Sequence, residues 1–319
     1  MKTVGEAEGK LETRVEAILR QLPDGEGEPY RYAPALGGVV SPIHRGVATT
    51  AWLVAKGDAP PHLFLKLPEP EMASFLDPTG DFAAARVAAE AGVSPAPRYL
   101  IDDAILFDYL PAPFAWARLH QFLDPTVRAR LIAAKRAIQA APSMSRKREL
   151  GPRLAAFAGK IETLGIALPP DGWWLIRQGA GITEAIASAG QDVCPCHLDG
   201  VSSNVMLHPD GRLQLVDFDL AGDADPHWDL GTVMAEICQF EDEEAALVEL
   251  FLGGYDRRVH HRARLLGAAD DIAWGLWGYL LARLSPRSHV EFVKYAEWRF
   301  LRARMVLHDP RFEAMLRHV

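Results

Sequence analysis

Cysteine is scarce in this chain: Cys194, Cys196 and Cys238 are the only three in 319 residues. An odd count, with two thiols separated by a single proline, does not make a disulfide framework and fits a reducing cytoplasm. Long apolar runs are also missing. No stretch of about 18 apolar residues occurs, so no membrane-spanning helix is expected. The first residues, Met1-Lys2-Thr3-Val4-Gly5-Glu6-Ala7-Glu8, are charged and lack the apolar centre of a signal peptide. Nor is there an excess of basic residues, with 34 Lys+Arg against 42 Asp+Glu and a net charge of −8. A nucleic-acid coat needs a cationic surface, so neither a nucleic acid nor a membrane is expected as partner. A local cationic pocket for a small phosphate ligand remains compatible with that balance.

What is present is ordinary globular material, 49% hydrophobic and 24% charged. A chain of this length buries roughly three quarters of its unfolded surface and divides naturally into two lobes. An amphipathic helix is expected over residues 3–22, where Leu11, Val15, Ile18 and Leu22 recur at helical spacing and Pro23-Asp24-Gly25 ends the run. Short β-like runs follow at residues 37–40, 51–54 and 63–67, with Lys56-Gly57-Asp58 and Pro60-Pro61 as turn signals. An alanine-rich helix over 82–91 stops at Gly92. Two further strands at 99–101 and 104–107 turn at Asp102-Asp103. Beyond Ala115 the pattern is mainly helical, apart from strand-like patches at 205–207 and 213–216. An α+β fold is expected, with a small antiparallel lobe over residues 1–109 led by a helix within 1–25. A larger helical lobe is expected over 110–319, entered past Pro111 and Pro113.

The densest chemistry lies in His197-Leu198-Asp199-Gly200-Val201-Ser202-Ser203-Asn204 and, past a Pro209-Asp210-Gly211 turn, in Val216-Asp217-Phe218-Asp219. Two short strands joined by that turn set Asn204 and Asp217 at adjacent ends of a hairpin. A carboxylate and an amide oxygen converging there suit a hard cation such as Mg²⁺. Asp199, on the loop entering the hairpin, is free to face a substrate hydroxyl. Phosphoryl transfer asks for this set: a carboxylate to orient the hydroxyl, and oxygen ligands for the metal that bridges the phosphates. Taken singly, Asp199 reads as a loop residue, Asn204 as a turn former and Asp217 as a strand end. Their ordered spacing is what favours chemistry.

His197-x-Asp199-x-x-x-x-Asn204 followed by Asp217-Phe218-Asp219, then Gly222-Asp223-Ala224-Asp225-Pro226-His227-Trp228-Asp229-Leu230, resembles the aminoglycoside phosphotransferase and choline kinase superfamily. The resemblance covers about residues 30–302 and implies a two-lobed protein-kinase-like fold that uses ATP and Mg²⁺. It implies that Asp199 is the catalytic carboxylate, that His197 orients backbone, and that Asn204 and Asp217 hold Mg²⁺. Asp219 is either a second metal contact or a loop charge, and Asp229 ties the catalytic loop to the following helix. Lys66, within the apolar run Leu63-Phe64-Leu65-Lys66-Leu67, needs a partner or must snorkel. The resemblance makes it a contact of the α- and β-phosphates, with Asp81 in the partner's place and Glu90 as a later candidate. Gly46, Thr49 and Thr50 resemble the turn over the phosphates, with Gly37-Gly38 as the rival. Leu106-Phe107-Asp108-Tyr109-Leu110 resembles the hinge that reads adenine.

Trp274-Gly275-Leu276-Trp277 and Tyr295-Ala296-Glu297-Trp298-Arg299-Phe300 resemble the choline and ethanolamine kinase branch. That likeness makes Trp274, Trp277 and Tyr295 an amine pocket with Glu236 as countercharge, since aromatic faces attract quaternary ammonium groups. The alternative is ordinary helix packing. Trp228 and Trp298 are expected in the core, and His260-His261 in solvent. The expected activity is transfer of the ATP γ-phosphate to a hydroxyl of a small, choline-like cationic alcohol. An antibiotic phosphotransferase or a catalytically inactive ligand-binding relative are the alternatives, and the protein is expected as a monomer or homodimer. A protein kinase is disfavoured because no activation segment ends in Ala-Pro-Glu.

Overall fold

A six-stranded antiparallel sheet and a bundle of helices divide the chain between them. The computed structural model describes residues 1–23, 27–35 and 47–319. The expected strand at 37–40, the turn residues Asp24 and Gly25, the Gly37-Gly38 pair and Gly46 lie outside the described residues.

The sheet begins with β1 (Lys2–Thr3), where the sequence pattern suggests a helix. Gly5 and Gly9 take φ of +112° and +101°, backbone that a helix cannot use, so α1 starts later, at Lys10–Leu19. Leu11 is exposed, and the buried face is Val15, Ile18, Leu19 and the following Leu22. Next come β2 (Tyr30–Pro34), β3 (Thr49–Lys56) and β4 (Leu63–Pro68). Helix α2 (Pro78–Glu90) follows, with the Asp77 carboxylate accepting from Gly80 N at its N-terminus. Strands β5 (Pro97–Ile101) and β6 (Ala104–Asp108) complete the order β1-β2-β3-β4-β6-β5. Strand alternation decides the two faces. Leu63, Leu65 and Leu67 of β4 point into the layer shared with α1, Tyr32, Trp52 and Val54. Phe64 and Lys66 therefore point the other way, into the cleft that faces the helices.

The helical lobe opens with the short β7 (Ala115–Trp116), then α3 (Pro125–Gln139), α4 (Leu150–Thr163) and α5 (Gly172–Ser188). Four short strands follow: β8 (Cys194–Cys196), β9 (Val205–Leu207), β10 (Leu213–Leu215) and β11 (Gly222–Ala224). β9 and β10 pair as the expected hairpin, β7 adds to β9, and β11 pairs with β8. The sequence does not reveal β7, β8 or β11, because two or three residues are too few to display a period. The rest is α6 (Pro226–Ile237), α7 (Glu241–Leu252), α8 (Arg257–Leu284), α9 (Phe292–Leu307) and α10 (Phe312–Arg317).

Helix α8 is the axis of this lobe, with Leu265, Ile272, Leu276 and Leu280 fully buried. It also buries Asp270 and Asp271, which pair with Arg299 of α9 at 3.1 and 2.9 Å. Trp228 packs in this core as expected, but Trp298 lies on the outer face of α9, 44% exposed. His260 is buried rather than solvated. Its basic neighbours on α8 suggest solvent, but Glu244 of α7 reaches its Nε2 at 2.8 Å and the Tyr255 hydroxyl lies 3.1 Å from its Nδ1. Among the described residues no helix is long and apolar enough to cross a membrane.

Candidate active site

Strand β8 delivers the chain to His197, and the loop beyond it is held from below by a buried charge cluster. Asp229 of α6 accepts from Leu198 N at 2.8 Å and from His197 N at 3.4 Å. Lys135 of α3 donates to the Asp229 carboxylate and to the Asp199 carbonyl, each at 2.7 Å. Lys135 was not legible as a site residue, yet a signal exists. It is the one cation on an apolar stripe formed by Leu131, Ile132 and Ile138. Leu198 and Asp217 both adopt positive φ, 60° and 70°, which non-glycine residues hold only when their surroundings enforce it. Gly200 has no room for a side chain, since a Cβ there would meet the Thr232 carbonyl at 2.1 Å.

His197 sits under the loop, with Nε2 3.1 Å from the Val216 carbonyl and Nδ1 3.2 Å from Lys135 Nζ. The ammonium must donate, so Nδ1 accepts and Nε2 carries the proton. Burial and Lys135 push its pKa down to about 4, so the ring stays neutral. Its position links the loop to the hairpin through backbone.

The Asp199 carboxylate accepts from Val201 N and from Asn204 Nδ2, both at 2.8 Å. Burial, reinforced by Asp217, raises its pKa to about 7. With its amide nitrogen turned to Asp199, Asn204 has its oxygen available for another partner. Asp199, Asn204, Asp217 and Asp219 all line one cavity of about 530 Å³.

Lys66 bridges from the sheet to the hairpin. Its Nζ lies 2.7 Å from Asp217 and 2.9 Å from Asp219. Burial opposes its charge, but the two carboxylates outweigh this and hold its pKa above the usual lysine range. Burial also pulls Asp217 upward, and Lys66 more than compensates, leaving its carboxyl below its ordinary value. Asp219 is raised to about 6 by burial and by Asp217. The sequence expectation of Asp81 as partner of Lys66 is corrected here. Asp81 pairs instead with Arg146 at 2.6 Å, because the long guanidinium arm reaches the short carboxylate of α2 and Lys66 is taken by the hairpin. Glu90 lies at the far end of α2 beside Arg86. Burial and Asp219 raise Asp81 to about 7.

The donors available to a metal ion are oxygens. Among the described residues no three His, Cys, Asp or Glu side chains form a metal cluster. Two carboxylates nevertheless converge on a single cationic group, the Lys66 ammonium, and the Asn204 amide oxygen is near the same cavity. Hard oxygen donors with room for phosphate oxygens suit Mg²⁺, which keeps few protein ligands.

A second cavity, about 160 Å³, is lined by Leu53, Phe64, Lys66, Phe107, Asp108 and Met206 among others. It is mainly apolar and meets the larger cavity at Asp217. The Asp108 carboxylate pairs with Arg98, both contacts at 2.7 Å. Thr50 donates its hydroxyl to the Leu67 carbonyl at 3.3 Å. Neither Thr49 nor Thr50 lines either cavity, whereas Val47 and Ala48 do.

The three expected pocket aromatics do meet on one wall. Trp277 packs edge-on against Trp274 at 5.2 Å and against Tyr295 at 5.8 Å. The faces of Trp274 and Tyr295 already carry the protein's own cations. The Arg153 guanidinium lies 4.5 Å from the Trp274 ring centre, and Arg299 lies 5.9 and 5.8 Å from Trp274 and Tyr295. Glu236 accepts from Ser202 N and pairs with Arg302 at 3.3 Å, so its charge is matched from behind.

No curated protein matches the chain. A choline/ethanolamine kinase family protein from Mesorhizobium loti superposes with a TM-score of 0.77 at 23% identity, covering 97% of this chain and 99% of that one. A choline kinase from Streptococcus pneumoniae gives 0.72 at 16% identity, covering 92% and 98%. A GDP complex of an aminoglycoside 2′-phosphotransferase gives 0.64 at 14% identity, covering 96% and 100%. These likenesses establish the two-lobed kinase-like fold. Residues 39–266 match the phosphotransferase enzyme family, APH. The chain belongs to that family, and is a phosphotransferase acting on the hydroxyl of a small molecule.

Proposed function

We propose that the protein moves the γ-phosphate of ATP to an alcohol in the 530 Å³ cavity, with Asp199 as general base. The acceptor oxygen forms a bond to the γ-phosphorus, the bond from that phosphorus to the β-bridging oxygen breaks, and ADP leaves with the electron pair. The hydroxyl proton goes to Asp199. The observation that carries this reading is the pair of hydrogen bonds from Val201 N and Asn204 Nδ2, which aim a carboxylate of pKa about 7 at the cavity. A base is most effective when its pKa is near the working pH. Asn204, Asp217 and Asp219 would hold Mg²⁺, which when bound neutralises charge on the phosphates. Lys66 would release the carboxylates to the metal and turn to the phosphates. The apolar cavity beside Phe64 and Phe107 takes the purine, and the solved nucleotide complexes of relatives, with AMP, GDP and ADP, support a nucleotide there. The scarcity of cysteine supports a cytoplasmic site of action.

A choline-like quaternary ammonium acceptor is the finer reading, supported by the meeting of Trp274, Trp277 and Tyr295. It requires Arg153 to leave the Trp274 face. The test is a coupled ADP-release assay with MgATP and a panel of alcohols. Turnover that vanishes in Asp199→Asn, with MgATP still bound, agrees with the assignment. Equal loss of turnover and MgATP binding in a folded variant contradicts it.

A further inference from the structure

The acceptor end of the large cavity has an imbalance that the phosphotransferase reading does not use. Its acidic groups are matched from behind. Asp270 is held by Arg299 and by Trp228 Nε1, both at 3.1 Å, and Glu236 by Arg302 and Ser202 N. The wall on and just before α4 supplies Arg148, Arg153 and Lys160, beside Lys147 and Glu149, which pair with each other at 2.8 Å. Among the described residues the Arg148 guanidinium donates to the carbonyls of Asp219 and Ala221 and to no carboxylate. Among the described residues Arg153 and Lys160 have no carboxylate within ion-pair distance, only aromatic faces: Trp274 and Phe157 for Arg153, and Phe75 for Lys160. An aromatic face steadies a guanidinium but leaves its N–H edge unsatisfied. Burial accordingly lowers the Arg153 pKa from the arginine value, with Asp270 opposing. Arg153 is half-buried and lines the cavity, so that edge is open to a ligand, and a bidentate anion is its best partner.

We infer that the acceptor carries, besides its hydroxyl, an anionic group that Arg153 receives, a carboxylate or a phosphate. This rests on the phosphotransferase reading and narrows its substrate class. The Trp274 indole acts as a plate that fixes the guanidinium plane, with its fork turned to the cavity. Arg148 and Lys160 add attraction at longer range. A quaternary ammonium group would meet these cations as like charge. The hydroxyl would reach Asp199 while the anion stays on the α4 wall, so the two ends of one small molecule span the cavity.

The test uses matched alcohols: glycerol, glycerate, glycerol 3-phosphate and choline. Binding to the MgADP-loaded protein is read by thermal shift, and turnover by ADP release. The expected result is stabilisation by glycerate or glycerol 3-phosphate and not by glycerol or choline; which anion responds identifies the group. Arg153→Met should weaken the anionic probe by about 10- to 100-fold, the worth of one charge-assisted hydrogen-bonded pair. Arg153→Lys should recover part of it, and MgADP affinity should stay unchanged in both. Stabilisation and turnover with choline but not with either anion would overturn the inference and leave the phosphotransferase reading standing. Silence of both anions in the binding assay would also overturn it. An Arg153-dependent anion response without ADP release from any alcohol would sustain the anion site and count against the transfer reading.

Discussion

The Lys66 ammonium lies 2.7 Å from the Asp217 carboxylate, joining β4 of the sheet to a hairpin 151 residues further along the chain. Asp219 closes the same contact at 2.9 Å. The two lobes are thus latched by a protein cation seated between the two carboxylates proposed for the metal.

Removing that cation should expose the repulsion it screens. Lys66→Met leaves two half-buried carboxylates facing each other without the cation between them. The expected outcome is a lower Tm in metal-free buffer, recovered largely by MgCl2. A variant equally unstable with and without Mg²⁺ would contradict the shared site.

The pH dependence has a defined sign. The essential form of Asp199 is the carboxylate, and its pKa is raised to about 7 in the free protein. kcat/KM should therefore rise with pH, roughly tenfold per unit below about pH 7, and level off above it. Asp81, Asp199 and Asp219 are all raised above their unfolded values, to about 7, 7 and 6. The folded state binds their protons more tightly, so their contribution to stability is present at low pH and is lost as pH rises through 6–7. Mg²⁺ binds the deprotonated form, so its gain in Tm should be larger near pH 8 than near pH 5.5. An equal gain at both would remove Asp219 from the metal site.

Asp81 should matter less than Lys66. Its partner is Arg146, and Asp81→Asn keeps the Lys66 contacts intact. Turnover is expected to fall by less than about tenfold, against a far larger loss in Lys66→Met. Equal losses would restore Asp81 as the working partner of Lys66.

Lys135 should be a stability residue with a functional signature. Lys135→Met strands the buried Asp229 and should cost about 3–5 kcal/mol. The double variant Lys135→Met with Asp229→Leu should recover part of that in denaturant titration while turnover stays low, because Leu198 N and His197 N have lost their acceptor.

The parts of the site legible in the sequence are those set by local spacing. Asp199, Asn204, Asp217 and Asp219 sit within one loop and one hairpin, so their distances along the chain nearly determine their distances in space. Lys66 shows itself as a cation in an apolar strand. The partners that were not legible are chosen by reach across the fold. Arg146 takes Asp81 because its arm is long enough, and nothing in the local pattern of α2 reports that. The aromatics of α8 and α9 were readable as neighbours at helical spacing, but the guanidinium of Arg153 arrives from α4 and covers a face the pattern leaves open. Trp298 and Trp277 look alike in sequence, and only the packing of α9 on α8 decides which faces solvent.

The Lys135 ammonium, 3% exposed and held by His197 and Asp199 of the catalytic loop and by Asp229 of α6, also makes a built-in timer. An amine-reactive label can reach it only when the loop lifts from α3. Its labelling rate, followed by mass spectrometry beside the exposed lysines, would count loop openings directly, and ligands that settle the loop would slow that one site selectively.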